Sequence, residues 1–292
     1  MSTPWSQTPA WRSAMVFLKF FGVSVLCGIM FLPFIWMICT AFKSSGEVEG
    51  AHFWPELFSP DNIRIVLRQI PDPFTKVFVN LHLAKWIFNS ILVAAWVTTL
   101  QVFTSCMAAY AFSRIQWRGR DKIFLLYLAT MMIPGMVLTI PQYQIMVSLN
   151  LVNTYSGLII PAAFSAFGTF MLRQFMLGIP QSYDEAAEID GAGHCQIFLD
   201  VILPLAKPGM ITLAIFTFLG NYRNLIWPLI MIKDAHLRTV PIGLLSFQGQ
   251  YGAQVELLMS ATLICLIPLI LMFIIMQKQL VRGISLSGGV KG

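Results

Sequence analysis

The sequence predicts an all-α membrane protein with six membrane-spanning helices. Two observations carry this. Of the 292 residues, 57% are hydrophobic and only 11% are charged, against roughly 25% charged in a soluble domain, and the mean hydropathy is +0.73. The apolar residues also gather into runs near the ~20 residues that a bilayer core demands of a helix. A soluble domain of this length has more surface than these charges cover. The formal net charge of +6 does not point to nucleic acid, because many of the basic residues sit at the ends of apolar runs, where they set topology.

The predicted spans cover about 20–42, 86–112, 123–146, 155–172, 210–232 and 255–276. The first run is longer than a signal-peptide core and no small-residue cleavage site follows it, so it reads as a retained span. Residues 1–14, with Pro4 and Pro9, read as a cytoplasmic tail, and 15–292 as one six-helix domain without linker or repeat. Lysine and arginine give the orientation. The second connection holds Arg114, Arg118, Arg120 and Lys122, the third (147–154) holds none, and the chain's end holds Lys278, Arg282 and Lys291. The second and fourth connections and both termini are therefore expected in the cytoplasm. The first connection is also basic, but long loops cross largely regardless of charge.

Catalytic and metal chemistry find no support. Cys27, Cys39, Cys106 and Cys265 lie inside apolar runs, Cys195 lies in a polar connection, and no C-x-x-C pair occurs. His52, His82, His194 and His236 are scattered. No phosphate-binding G-x-x-x-x-G-K-[ST] loop is present, so any nucleotide energy comes from a partner.

The longest cytoplasmic connection, 173–207, carries the informative pattern. Pro180 is expected to stop the preceding helix, and Ser182 with Glu185 fits a capping box. Ala186, Ala187 and Glu188 suit a short helix, and Gly191 sits where a left-handed C-terminal residue is wanted. Ile197, Phe198, Val201, Ile202 and Leu205 suit a helix packed under the membrane, with Pro204 and Pro208 breaking the chain before span five.

This stretch resembles the EAA loop of ATP-binding-cassette (ABC) importer permeases. That pattern is Glu-Ala-Ala, three residues, Gly, nine residues, an aliphatic, one residue, then Leu-Pro. Glu185, Ala186, Ala187, Gly191, Val201, Leu203 and Pro204 fill it, with valine where isoleucine is usual. More of the chain is similar to the maltose-type sugar permeases, in particular to the shorter of their two subunits. Asn89 and Ser90 open span two, Ala-Ala-Tyr-Ala-Phe-Ser-Arg at 108–114 closes it, and Pro134 and Pro141 mark span three. Asn-Thr-Tyr-Ser-Gly at 153–157 enters span four, and the chain finishes on Gly-Ile-Ser-Leu-Ser-Gly-Gly-Val-Lys-Gly at 283–292. The resemblance implies a type I importer fold in the bacterial inner membrane. It also implies a second permease subunit, two nucleotide-binding ATPase subunits that bind ATP and Mg²⁺, and an extracytoplasmic binding protein that delivers a sugar or glycoside. On this resemblance the helix of Glu185 to Asp190 docks in a groove of the ATPase, and this chain binds no cofactor and performs no bond chemistry.

Polar residues inside spans are costly and suggest function. Asn221, Arg223 and Asn224 in span five, and Gln142 and Tyr143 after Pro141 in span three, are candidates for the substrate path. They fit equally well as the amides that join helices. Where such permeases usually read Trp-Asn followed by an acid, this chain has Tyr222, Arg223 and Asn224. An arginine there is expected to face the partner subunit, a cavity or the outer surface. Two outer segments are candidates to meet the binding protein: 43–85, and 233–254 with Gln248, Gly249, Gln250 and Tyr251.

Rival classes have less support. A gradient-driven transporter usually needs a carboxylate within the membrane, and Glu256 lies only at the edge of span six. A permease for an amino acid, a peptide or a compatible solute is the nearest alternative.

Overall fold

A computed structural model describes residues 9–48, 50, 52–56, 58–68, 82–249 and 252–288. The described chain is dominated by helices: α1 (Pro9–Ala41), α2 (Ser45–Val48), α3 (Asp61–Arg68), α4 (Leu83–Ser113), α5 (Arg120–Ala129), α6 (Thr139–Ser148), α7 (Tyr155–Ile159), α8 (Ala166–Leu177), α9 (Ser182–Ile189), α10 (His194–Gln196), α11 (Leu203–Tyr222), α12 (Ile226–Met231), α13 (Val240–Leu244) and α14 (Val255–Gly288). A two-residue antiparallel pair, β1 (Gln248–Gly249) and β2 (Gly252–Ala253), precedes α14. Lys291 and most of the predicted tail, 1–8, lie outside the described residues. α1 already begins at Pro9, inside the segment expected to be tail.

Among the described residues, four stretches are long and apolar enough to cross a membrane unbroken: Met15–Ala41, Leu83–Ser113, His194–Tyr222 and Val255–Gln277. Two bent pairs bring the number to six if each crosses as one span. Arg120–Met132 and Gly135–Ser148 meet at 88°, and Tyr155–Ala162 and Ala166–Leu177 at 44°. The sharper bend has a local cause. Ile133, forced out of helical geometry by the proline after it, is extended at φ −83° and ψ 119°. Pro134 then opens a 3₁₀ turn over Gly135–Leu138. Pro141, also expected to kink this span, falls in the first turn of α6 instead. A missing N–H costs nothing there.

Span five departs furthest from expectation. Pro204 and Pro208 do not break the chain. A π-turn, Ile197–Ile202, runs directly into α11, with Pro204 in its first turn and Pro208 inside it. The wide turn leaves room for the Pro204 ring, which in an α-turn meets the carbonyl four residues back. The helix then ends at Tyr222, not at residue 232, and α12 follows after a break.

The contacts divide the chain into two units. The first comprises the described residues of Met1–Asn80 and Phe247–Ile264. In it Ala41 and Ala261 are fully buried and Val66, Phe247 and Leu257 nearly so. Ser260 Oγ donates to the Ala41 carbonyl at 3.0 Å, and Asn62 Nδ2 donates to the carbonyls of Ala41 and Lys43 at 3.0 and 2.6 Å. Lys43 is itself buried, and its Nζ donates to the His52 carbonyl. Met15–Trp36 of α1 is exposed throughout, and only the end of the helix, Cys39–Ala41, is buried.

The second unit comprises the described residues of Leu81–Ser246 and Cys265–Gly292. It holds two apolar clusters. One gathers Cys106, Ala109 and Tyr110 of α4, Leu172 and Met176 of α8, Ile197 and Ile202 of the π-turn, and Ala206 and Leu213 of α11. The other gathers Val93, Val97, Met146, Leu158, Met231, Ile232 and Ile242. Small residues let these helices approach closely, the usual basis of packing where lipid removes a hydrophobic drive between helices.

Candidate functional site

Within the 173–207 connection, α9 lies at the edge of the second unit's core, and the π-turn and the start of α11 that follow are part of that core. α8 ends at Leu177 and Gly178, before Pro180 is reached. Pro180 belongs to the start of α9, where its carbonyl accepts from Tyr183 N at 3.4 Å. The expected capping box does not form. Gln181 is already helical at φ −66° and ψ −20°, so Ser182 lies inside the first turn, and that turn carries no side-chain cap. Its backbone closes it, the Gln181 carbonyl accepting from Asp184 N and Glu185 N at 2.9 and 3.1 Å.

The C-terminal end follows the expected pattern. Gly191 has φ +82°, a conformation that costs an L-residue with a Cβ about 1–2 kcal/mol. Gly191 N donates to Glu188 O at 3.0 Å and Ala192 N to Ala187 O at 2.9 Å. These two bonds form a Schellman motif, in which the paired hydrophobic contact also appears: Ala187 and Ala192 both pack against the α4–α8–α11 cluster. No residue of α9 is fully buried, and only Asp184 and Ala187 are half-buried. Glu185, Ala186 and Asp190 are exposed, and Ile189 is 86% exposed. Leu203 is half-buried against the same cluster and Pro204 is exposed. The result is a rigidly capped helix with an acidic and apolar outer face.

Three residues outside the EAA pattern hold this loop. Arg114 Nη1 donates to Asp184 Oδ2 at 2.8 Å, and its Nη2 donates to the carbonyls of Met176 and Ile179 at 2.6 and 2.7 Å. Tyr110 donates from its hydroxyl to the His194 carbonyl at 3.0 Å. Arg173 donates to the Phe112 carbonyl at 3.0 Å and lies over the Phe124 ring, 4.2 Å from its centre. In the sequence Arg114 reads as a topology signal and Tyr110 as part of a family resemblance, and neither shows a structural task.

The intramembrane polar candidates separate. Gln142 and Asn224 line one open pocket of about 270 Å³, with Gly135, Thr139 and Trp227 among its walls. The pocket lies where two helices are interrupted, at Pro134 and between α11 and α12. Asn221 and Asn224 do not share a helix face, because α11 ends at Tyr222 between them. Asn221 donates to the Thr217 carbonyl of its own helix at 2.8 Å. Tyr143 packs against the second apolar cluster. Arg223 is exposed at the helix end rather than within the span. Tyr222 is buried, its hydroxyl donating to the Cys265 carbonyl at 2.9 Å.

Of the outer candidates, Gln248 and Gly249 form β1, and Gln250 and Tyr251 lie outside the described residues. The preceding chain is clamped in the second unit. Asn89 Nδ2 donates to the carbonyls of His236 and Arg238, both at 2.9 Å, and the Asn89 amide oxygen accepts from the Tyr155 hydroxyl at 2.8 Å. Val240 N donates to Ser90 Oγ at 2.8 Å, and Gly243 lies flat against the Trp86 ring. Among the described residues, no group of three or more histidine, cysteine or acidic side chains is arranged to hold a metal.

Comparison with known proteins identifies the class this geometry belongs to. Residues 101–286 match the family model described as binding-protein-dependent transport system inner membrane component. The chain belongs to this family, and it is a multi-pass inner-membrane permease. It is 31% identical over 274 residues to the arabinooligosaccharides transport system permease protein AraQ of Halalkalibacterium halodurans, covering 93% of this chain and 95% of that one. It is 32% identical over 281 residues to the trehalose/maltose transport system permease protein MalG of Thermococcus litoralis, covering 94% and 96%. It is 34% identical over 200 residues to the sn-glycerol-3-phosphate transport system permease protein UgpE of Yersinia enterocolitica, covering 68% and 71%. Among solved structures, a chain of a bacterial ABC transporter involved in the import of the acidic polysaccharide alginate superposes with a TM-score of 0.76 at 22% identity, over 94% of this chain and 99% of that one. The fold is that of a type I ABC importer permease.

Proposed function

We propose that this chain pairs with a second permease to form the translocation path for a sugar or glycoside. An extracytoplasmic binding protein delivers the solute, and partner ATPase subunits drive import. The observation that carries the reading is α9: an eight-residue helix, capped by a left-handed glycine, anchored by Ala187 and Asp184 and otherwise exposed, at the place where the EAA spacing predicts a coupling helix. Glu185, Ala186, Ile189 and Asp190 form the outer face offered to the ATPase, while Ala187, Gly191, Leu203 and Pro204 set its angle. ATP and Mg²⁺ belong to those ATPase subunits, and this chain binds no cofactor. Both termini and the α9 loop lie in the cytoplasm on this reading, and 15–292 acts as one permease domain behind a short tail.

The names of the oligosaccharide and disaccharide relatives support a carbohydrate cargo. Gln142 and Asn224 supply amide groups suited to sugar hydroxyls along the path, with Trp227 as a stacking face. Tyr143, Asn221 and Arg223 flank that path, and the 248–251 segment meets the binding protein. The glycerol-phosphate relative supports a second reading, a small phosphorylated polyol.

The test is to purify the tagged chain from native membranes in mild detergent and assay ATP hydrolysis with candidate loaded binding proteins. Recovery of a second permease and an ATPase is expected, with activity raised by a sugar-loaded binding protein. Activation by a glycerol-phosphate-loaded protein alone selects the second reading, and recovery of the chain by itself sinks both. A variant isolates the helix. Gly191→Val forces the left-handed position at a cost of about 1–2 kcal/mol, so ATPase co-purification is expected to drop while membrane insertion stays normal.

A further inference from the structure

The side chains that hold the 176–194 segment come from one face of one helix. Tyr110 lies in the last turn of α4 and Arg114, four residues on, caps that turn, its N–H donating to the Tyr110 carbonyl, so the two side chains stand side by side. Tyr110 takes the far end of the segment through the His194 carbonyl. Arg114 takes the near end through the Met176 and Ile179 carbonyls and, within α9, the Asp184 carboxylate. The pair is withdrawn from water: the Arg114 side chain is 6% exposed and that of Asp184 15%. Apolar packing alone gives α9 little purchase, since the side chains it sets into the core are alanines. An arginine can correct this because its planar fork fixes direction as well as distance, which a lysine ammonium does not.

We propose that Tyr110 and Arg114 are positioning residues that lock α9 to the C-terminal end of α4. Displacement of α9 then moves the second span as a body instead of bending the loop between them. A buried, charge-assisted contact suits this task because salt screens it little and because loss of one partner leaves the other charge uncompensated. The proposal rests on α9 being the coupling helix, and the test keeps the two ideas apart.

The importer is assembled with its second permease, ATPase subunits and binding protein in proteoliposomes. ATP hydrolysed and solute imported are measured in the same vesicles. Asp184→Asn keeps the side-chain shape and leaves Arg114 its two carbonyl partners. ATPase subunits are expected to co-purify at the wild-type level, while solute imported per ATP falls by about fivefold or more. Arg114→Lys, which keeps the charge and loses the fork, is expected to behave likewise, and Tyr110→Phe to show a smaller loss. A merely structural role lowers yield or thermal stability and leaves import per ATP unchanged, and that result overturns the proposal. If Arg114→Lys is not recovered in the membrane, Asp184→Asn decides alone. Gly191→Val separates the readings. If it leaves docking and transport intact, the coupling helix itself is misassigned. If it abolishes docking while Asp184→Asn imports at the wild-type ratio, only the lock fails.

Discussion

Asn89 is fully buried near the start of α4, and its amide joins segments far apart in sequence. It reaches His236 and Arg238, 147 and 149 residues away, and Tyr155, 66 residues away. Both amide hydrogens and the oxygen are used, so the group is a satisfied polar network and not a buried liability. Removing it strands three partners. Asn89→Leu is expected to cost about 2–4 kcal/mol, read as a fall in the thermal unfolding midpoint of the detergent-solubilised chain. Asn89→Asp tests whether donation or volume matters. It keeps the shape and the bond from Tyr155 but turns an acceptor toward two carbonyls, so it is expected to be no more stable than Asn89→Leu. A wild-type midpoint for Asn89→Asp would falsify the donor role. Asn153 works through its backbone as well, its N–H donating to the Met231 carbonyl at 2.9 Å. Its φ of +61° turns its side-chain oxygen to accept from Lys233 N and Asp234 N at 3.0 and 2.9 Å, a conformation asparagine tolerates better than most residues.

At the scale of elements, glycines set how closely helices approach, and two of them predict different costs. A Cβ on Gly157 overlaps the Leu151 carbonyl oxygen, which is backbone and cannot move aside. A Cβ on Gly209 falls 2.8 Å from Phe175 Cγ and 3.3 Å from its Cβ, a milder overlap than the 2.2 Å at Gly157 and one with a side chain that can swing about its Cα–Cβ bond. Gly157→Ala is therefore expected to cost about 2–3 kcal/mol and Gly209→Ala about 1 kcal/mol, within the range for overpacked cores. Thermal midpoints of the two variants check the order, and equal or reversed values refute it. These contacts also show what sequence can and cannot reveal about elements. The apolar stretches were legible because hydropathy over ~20 residues is a property of the chain itself; the 88° and 44° angles at which two of them bend were not. The left-handed Gly191 was legible because its conformation depends on one residue and its immediate neighbours. The ends of span five were not. Pro204 and Pro208 look like breakers in sequence, yet Pro204 falls in the first turn of α11, after a π-turn that leaves its ring space, and Pro208 sits inside that helix without ending it. The capping box failed for a similar reason: Pro180 and Gln181 start the helix before Ser182 can cap it. The tasks of Arg114 and Tyr110 were hidden for a different reason. Their partners are mostly backbone carbonyls 62–84 residues away, and a carbonyl leaves no mark in a sequence pattern.

For the whole molecule, the orientation of the chain follows from where its cations lie. Positive charge near span ends is retained on the cytoplasmic side during insertion, before any ion pair exists. Arg114 and Arg120 therefore count toward topology although the folded chain engages them, one with Asp184 and the other with Asp121. Arg118 and Lys122 remain exposed beside them. The turn joining α6 to α7 carries no lysine or arginine, and Leu149 in it is 55% exposed. The native Cys195 offers a built-in reporter, since it is exposed four residues beyond Gly191. With Cys27 changed to serine, a membrane-impermeant thiol reagent is expected to spare Cys195 in intact cells and to label it in inverted vesicles. Leu149→Cys is expected to give the opposite pattern. Because Cys195 follows α9 so closely, its labelling in inverted vesicles is also expected to slow when the ATPase subunits are bound and to recover when they are stripped. Labelling of Cys195 from outside intact cells would turn the whole chain over. It would place α9 where no ATPase can reach it, and the coupling reading would fall with the topology.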